Sequence, residues 1–472
     1  MLTRLEVSGF KNLVDFATDF GPYTCIAGPN GVGKSNIFDA IQFLSLLTEC
    51  TINQAALRVR NAGEDTGDIA DLFFNRDVSP QRKLTFGAEM IVDQHVSDDF
   101  GREAKASSSF LRYDVEFRYE APSPSSGHFG GLVLESEWLR PITSGNASQH
   151  MRFPHSKSQF RDSAVYNNRH SRSGFISTTG ADDSGPTAIV VHQDGGSHGR
   201  GGPAPAAGAT RTIIGTENSA ATPTILAARR EMQNWRILAL EPAAMRRPDR
   251  YTQAPGIGAD GSHIPATLLH QETILPNADV YSVVASRLAQ LVPVRSLSLS
   301  RDDVRQLLSL QLEEESGLHV RASSISDGTL RFLALVVLAE VANSTGLYCM
   351  EEPENGIHPE KLSVMYKLLK DIASDPWYPV APDNPLRQII VATHSPFFVQ
   401  LQDKKDLVIA RQQVLTSENG DVNHTLRCSP CRDTWRCYDS RRDYVDPTSL
   451  LTYLLPPEEA QIALPSSFWE TL

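Results

Sequence analysis

Gly28-Pro29-Asn30-Gly31-Val32-Gly33-Lys34-Ser35 is the stretch on which the fold of this chain turns. It fits the pattern G-x-x-x-x-G-K-[ST] at every constrained position. Immediately before it, residues 23–27 form a short apolar run of strand type. Immediately after it, Ile37, Phe38, Ile41, Leu44 and Leu47 fall at helical spacing and make one buried face. Strand, glycine turn and helix are the context in which such a loop can work. Its glycines let successive N–H groups point at a triphosphate, and the helix N-terminus adds partial positive charge. Lys34 is then placed for the β- and γ-phosphates, and the Ser35 hydroxyl for Mg²⁺.

The rest of the composition sets limits. The chain has 472 residues, with 44 Lys+Arg against 56 Asp+Glu and a formal charge of −12. That length allows several structural units, and 40% hydrophobic with 21% charged residues is ordinary for a globular protein. The acidic balance disfavours coating nucleic acid by bulk charge and leaves only local basic patches for it. The longest apolar stretch, around residues 333–342, is interrupted by Glu340 and falls short of the ~20 residues of a membrane span. The first residues show no basic region followed by an apolar core, and six cysteines are too few for a disulfide scaffold. A cytoplasmic protein without a membrane segment is the expectation.

Residues 83–92, 111–120 and 130–139 read as strands of an antiparallel lobe. Residues 144–223 look different, with glycines at 195, 196, 199, 201, 202 and 208 and prolines at 203 and 205. Such a composition does not offset its ordering entropy, so a flexible surface insertion is expected there. Helix and strand signals return at 225–242, helices at 266–274 and 278–292, and alternating strands and helices over 297–409.

Within that second α/β stretch, residues 346–350 form an apolar strand ending in Glu351 and Glu352, as a Walker B element requires. Glu351 is assigned to the metal and Glu352 to the attacking water. Upstream, Ser326-Asp327-Gly328-Thr329 precedes an apolar helix, with Ser326 as its N-cap. Downstream, residues 389–393 form a buried strand with His394 at its end, placed to touch the γ-phosphate or the water.

The order of these four elements resembles the ABC-type ATPase heads of the RecF, SMC and OLD group, within the AAA-family ATPases. The resemblance covers residues 1–95 and 295–412. It implies a split α/β P-loop ATPase head with an antiparallel β lobe carrying a flexible insertion. Residues 96–294 would form that lobe with its helical return, and residues 413–472 a small C-terminal extension. It also implies ATP and Mg²⁺ as ligands, with Gly28, Asn30, Gly31, Gly33, Lys34, Ser35 and Asn36 around the nucleotide. Gly9-Phe10-Lys11-Asn12 looks like the family's F-K-[NS] element, which carries Lys11 and Asn12 over as nucleotide contacts. Ser326 and Gly328 match the signature that contacts the γ-phosphate held by the opposite subunit, and His394 matches the switch histidine. Lys34, Glu352 and His394 are thus the catalytic candidates, and Ser35 with Glu351 the metal ligands. Glu351 stands where many ABC ATPases have Asp. The Gln of the family's Q-loop has no assigned position here, and residues 71–75 are where the family would have its equivalent region.

No coiled-coil arms and no TOPRIM acids are present in this sequence, so a compact RecF- or OLD-like head is expected. The resemblance then implies a homodimer closed around ATP, acting in DNA repair or phage defence. The rival is an ATP-dependent scaffold that sequesters a partner nuclease or toxin with little turnover. Two features of the C-terminal part stay open. His424, Cys428, Cys431 and Cys437 could form a zinc set or be reduced thiols. Arg427, Arg432, Arg436, Arg441 and Arg442, with Trp435 and Tyr438 interleaved, form either a DNA contact or a solvated face.

Overall fold

The computed structural model describes residues 1–59, 68–77, 82–122, 130–168, 174–180, 187–194, 203–275, 279–340, 345–416, 422–438 and 444–445. Two large sheets organise them. The first runs Trp235–Leu238, Gly346–Glu351, Arg387–Thr393, Tyr23–Ala27, Leu407–Thr416, Val422–Pro430. Its first five strands are parallel and only the last pair is antiparallel. Parallel strands are covered on both faces, which is why these segments read as continuous apolar runs and not as alternation. All five residues of Tyr23–Ala27 are buried.

The second sheet is antiparallel throughout. In spatial order it runs Phe16–Asp19, Leu2–Ser8, Lys83–Ile91, Phe110–Glu120, Gly131–Pro141, Ile176–Thr179, Ala188–Val191, Ala204–Pro205. Helix Lys34–Leu46 lies between the two sheets. Its Ile37, Ile41 and Phe43 share one core with Phe86 and Phe117 of the antiparallel sheet and with Ile26 and Ile390 of the parallel one. Phe43 stacks obliquely on Phe86 at 5.2 Å and meets Phe117 edge-on at 5.7 Å. Packing that helix therefore fixes the loop at its N-terminus relative to both sheets. The opposite face of the parallel sheet buries Cys25, Met350 and Val391 against helices Asp327–Glu340 and Leu362–Ile372.

The expected insertion folds differently from its composition. The described residues within 144–223 include the last three strands of the antiparallel sheet. Phe175, Ile176 and Ile189 join the main core, while Phe153 and Phe160 build a smaller one with Met1 and Phe110. A few well-spaced apolar residues suffice because a sheet edge already supplies half of every strand's hydrogen bonds. The glycine run 195–202 lies outside the described residues. At the C-terminal side, strand Leu407–Thr416 crosses the expected boundary at 412 and pairs with Val422–Pro430.

Two buried polar groups tie separate elements together, one of them across the two sheets. Gln388 is fully buried at the start of its parallel strand. Its Oε1 accepts the Leu2 N–H at 2.8 Å, and its Nε2 donates to the carbonyls of Leu2 (2.7 Å) and Gly21 (2.8 Å). Glu137, also fully buried, accepts the N–H groups of Ile213 (2.7 Å) and Ile214 (3.0 Å) and the Tyr113 hydroxyl (3.1 Å).

Burial still pushes the Glu137 carboxyl up to about 7, from an ordinary value of 4.5. The folded chain thus keeps a proton that the unfolded chain has already lost. Its contribution is complete at acid pH and fades as pH rises from the unfolded to the folded value. At ~1.4 kcal/mol per pH unit, the wild type should lose about 3 kcal/mol relative to Glu137→Gln across that window. Urea denaturation of both proteins at a series of pH values checks this; parallel stability curves would refute it.

Candidate functional site

The chain leaves strand Tyr23–Ala27 through Gly28, whose N–H is bonded to the carbonyl of Thr393 at 3.1 Å. A side chain at Gly28 would put its Cβ 2.7 Å from the Ala410 carbonyl oxygen. Gly31 and Gly33 adopt φ of 79° and 99°, in the region that favours glycine. Gly33 has a second constraint: a Cβ there would lie 2.2 Å from Asn12 Nδ2. Asn12 explains the crowding, since its Nδ2 donates to the Val32 carbonyl (3.0 Å) and its Oδ1 accepts from Asn36 Nδ2 (2.7 Å). Lys11 Nζ pairs with Asp39 on the following helix at 2.7 Å. Lys11 and Asn12, expected at the nucleotide, are thus bonded directly to the loop and its helix.

Lys34 folds its ammonium back into the loop, donating to the carbonyls of Gly28 (2.8 Å) and Pro29 (2.9 Å). Burial lowers its pKa, while the carboxylates of Glu352, Glu351 and Glu354 oppose that shift. A cavity of about 290 Å³ is lined by Asn30, Gly31, Lys34 and Ser35 on one side and by Glu351 and Glu352 on the other. The two acids reach it because strand Gly346–Glu351 ends there and Glu352 turns left-handed, with φ 49°. The Glu352 N–H is held by the Ala392 carbonyl at 2.8 Å. Its carboxylate accepts from Asn355 Nδ2 at 2.6 Å and contacts His394 Nδ1. Phosphate loop, both acids and His394 are therefore brought together from three separate stretches of sequence.

The signature is not part of that cavity. Ser326 Oγ accepts the Thr329 N–H at 3.3 Å, the N-cap geometry expected for helix Asp327–Glu340. Gly328 is pressed against the acid turn, where a Cβ would fall 2.1 Å from the Gly356 carbonyl oxygen. Neither Ser326 nor Gly328 lines the space around Lys34 and Glu352.

Three residues escaped sequence reasoning. Asn355 holds Glu352, and Arg331 bonds the carbonyls of Asn355 (2.8 Å) and Leu240 (3.2 Å), linking the signature helix to the acid turn. Glu241, just past strand Trp235–Leu238, lines a larger cavity of about 890 Å³ that also includes Glu351 and Glu352. The available signal was the short strand before Glu241, which pairs in parallel with the Walker B strand. Residues 71–75, the region of the family's Q-loop, form two short turns beside Lys11 and line neither of these two cavities.

The zinc set does not converge. His424 and Cys428 lie four residues apart on one strand, opposite Val414 and Ala410. At about 3.3 Å per residue that separation is about 13 Å, far beyond what two ligands of one ion span. Cys428 packs on the core at one face of the parallel sheet and Cys431 in the core at the other. Cys437 Sγ is 3.2 Å from the Cys431 carbonyl oxygen. Among the described residues no group of three or more His, Cys, Asp or Glu side chains is arranged to hold a metal.

The arginine face is also largely engaged. Arg436 is 1% exposed and belongs to the core. Arg427 bonds Gln413 and the Asp15 carbonyl, and Arg246 bonds Asp327 (2.5 Å) and the Ile325 carbonyl (2.8 Å). Arg441 and Arg442 lie outside the described residues. Among the described residues no helix is long and apolar enough to cross a membrane.

Residues 242–400 match the family described as "AAA domain, putative AbiEii toxin, Type IV TA system", and residues 4–121 the family described as "AAA domain". The chain thus matches AAA-domain families over two stretches, one holding the phosphate loop and the other the two acids and His394. Among curated relatives, the DNA replication and repair protein RecF of Phocaeicola vulgatus is 34% identical over 65 residues. The aligned part is 14% of this chain and spans 18% of that relative's length. Similar solved structures include an SMC head bound to the C-winged helix domain of ScpA, at 14% identity and TM-score 0.46, covering 90% of this chain and 97% of that one. The SMC head domain from Thermotoga maritima aligns at 13% identity and TM-score 0.37, covering 91% and 99%.

Proposed function

We propose that this ATPase head binds and hydrolyses ATP between two copies of the chain and uses the cycle as a switch. The observation that carries this reading is one cavity lined by Lys34, Ser35, Glu351 and Glu352, with His394 on Glu352 and the signature outside it. A site with a loop and acids but no signature is half of a sandwich. The opposite copy would supply Ser326 and Gly328.

The residues fit ATP and Mg²⁺. Gly31 faces open space with its N–H in a left-handed turn, and Lys34 already sits in the loop where phosphate oxygens would replace backbone carbonyls. Ser35 and Glu351 offer the hard oxygen atoms that Mg²⁺ takes. Mg²⁺, when bound, supplies charge neutralisation at the phosphates. Lys34 adds a fixed positive charge, and the loop N–H groups orient the phosphates. Glu352 holds the attacking water and accepts its proton, and His394 with Asn355 keeps that carboxylate in one rotamer.

The setting we infer is DNA repair or phage defence, supported by the RecF relative and by the toxin–antitoxin family name. The pairing of Arg246, Arg427 and Arg436 together with the net charge of −12 favours a protein, such as a nuclease or toxin, as the direct partner. ATP turnover measured with and without duplex DNA, alongside size exclusion with ATP, tests the reading. Turnover and an ATP-dependent dimer are expected. ATP binding with no turnover under either condition would replace the switch with the scaffold.

A further inference from the structure

The turn after the two acids holds a third, Glu354, that no role above uses. It is 5% exposed, and burial pushes its carboxyl up. Its Oε1 accepts a hydrogen bond from the Thr393 hydroxyl, and its Oε2 has no partner among the described residues. Thr393 is itself fully buried and is the last strand residue before His394. The same Thr393 Oγ1 accepts the Ser395 N–H at 2.9 Å, and the Thr393 carbonyl accepts the Gly28 N–H at 3.1 Å. One residue earlier, the Ala392 carbonyl holds the Glu352 N–H at 2.8 Å.

Thr393 is thus a junction of three motifs. Its side chain joins the acid turn to the residue after His394, and its backbone joins both to the start of the phosphate loop. A threonine hydroxyl has one proton. By donating it to Glu354, the hydroxyl turns a lone pair towards the Ser395 N–H, so both neighbours of His394 are fixed at once. A carboxyl is costly to bury and is retained at such a depth only with a hydrogen-bonding task.

We propose that Glu354 is a positioning residue: through the Thr393 hydroxyl it holds His394 in register with Glu352 and with the first residue of the phosphate loop. Its effect on turnover rests on the ATPase reading above, and its effect on the backbone rests on geometry alone. Glu354→Gln keeps an acceptor for Thr393, whereas Glu354→Ala and Thr393→Val remove the link from either side.

Hydrogen exchange on the nucleotide-free chain reads the strut directly. Peptides covering residues 392–398 and 26–30 should exchange at least ~10-fold faster in Glu354→Ala and Thr393→Val, and within about twofold of wild type in Glu354→Gln. In ATP hydrolysis, Glu354→Ala should lose ~10-fold or more in kcat with KM within about twofold, and Glu354→Gln should restore it. The double variant should be no worse than either single one. Wild-type exchange at residues 392–398 in Glu354→Ala, or Glu354→Gln as impaired as Glu354→Ala, would overturn the proposal. A wild-type chain without turnover would overturn the ATPase reading, and the exchange measurement would still decide this one.

Discussion

Glu352→Gln should bind ATP with near wild-type affinity and release phosphate at least ~100-fold more slowly, the usual scale for removing a general base. The substitution preserves shape and both flanking contacts: an amide oxygen can still accept from Asn355 Nδ2, and the amide nitrogen can face the His394 ring. What it removes is the ability to take a proton. The phosphate loop, Lys34 and Ser35 stay as they are, so binding and turnover should separate cleanly. If two copies close around ATP, the slow variant should accumulate as a dimer on size exclusion in the presence of ATP. His394→Ala should lose less, because Asn355 still holds the carboxylate. Phosphate release by Glu352→Gln at the wild-type rate would remove Glu352 from the chemistry.

Arg436→Ala should cost the fold about 3 kcal/mol or more, an effect of the kind caused by unpartnering buried polar groups. The guanidinium donates to the Asp19 carbonyl (3.0 Å), the Thr24 hydroxyl (3.0 Å) and the Lys405 carbonyl. It also stacks on Trp435, 4.0 Å from the ring centroid. Burial lowers its pKa to about 10, which leaves it cationic at neutral pH. Truncation would empty the volume of a long side chain and leave those three oxygens short of a donor. Arg436→Lys should recover only part of the loss, because one ammonium cannot reach three acceptors in the plane of a guanidinium. Urea midpoints would show this. An exposed DNA-contacting arginine predicts the reverse pattern: unchanged stability and a smaller salt dependence of DNA binding.

These two residues mark what the sequence made legible and what it did not. The strand, loop and helix around Lys34 could be read because each is specified locally: an apolar run, glycines at fixed offsets, then helical spacing. Glu352 and His394 were legible for a related reason, since each ends a buried parallel strand. The strands within residues 144–223 were not, because Phe175, Ile176 and Ile189 are stabilised by a sheet edge formed by distant sequence. The cysteines and His424 had the spacing of a metal site, but a strand separates in space what spacing alone brings near. Arg436 was misjudged by its residue class, which is almost never fully buried without partners. Its partners are backbone carbonyls and a hydroxyl, and those leave no trace in residue identity. Asn12 is a milder case, placed beside the phosphate loop as expected but bonded to the loop itself.

Gln388 gives strand Arg387–Thr393 a mechanical meaning. One end of this strand is bolted to Leu2, on the second strand from one edge of the eight-stranded sheet, and the other ends against Gly28, Glu352 and Glu354. Between them lie only buried residues in a fully paired parallel strand, with no slack to absorb a shift. Such a strand is a push-rod. Any shift of the His394 end relative to Leu2 must stretch the Gln388 bonds or distort the parallel ladder on either side of the strand.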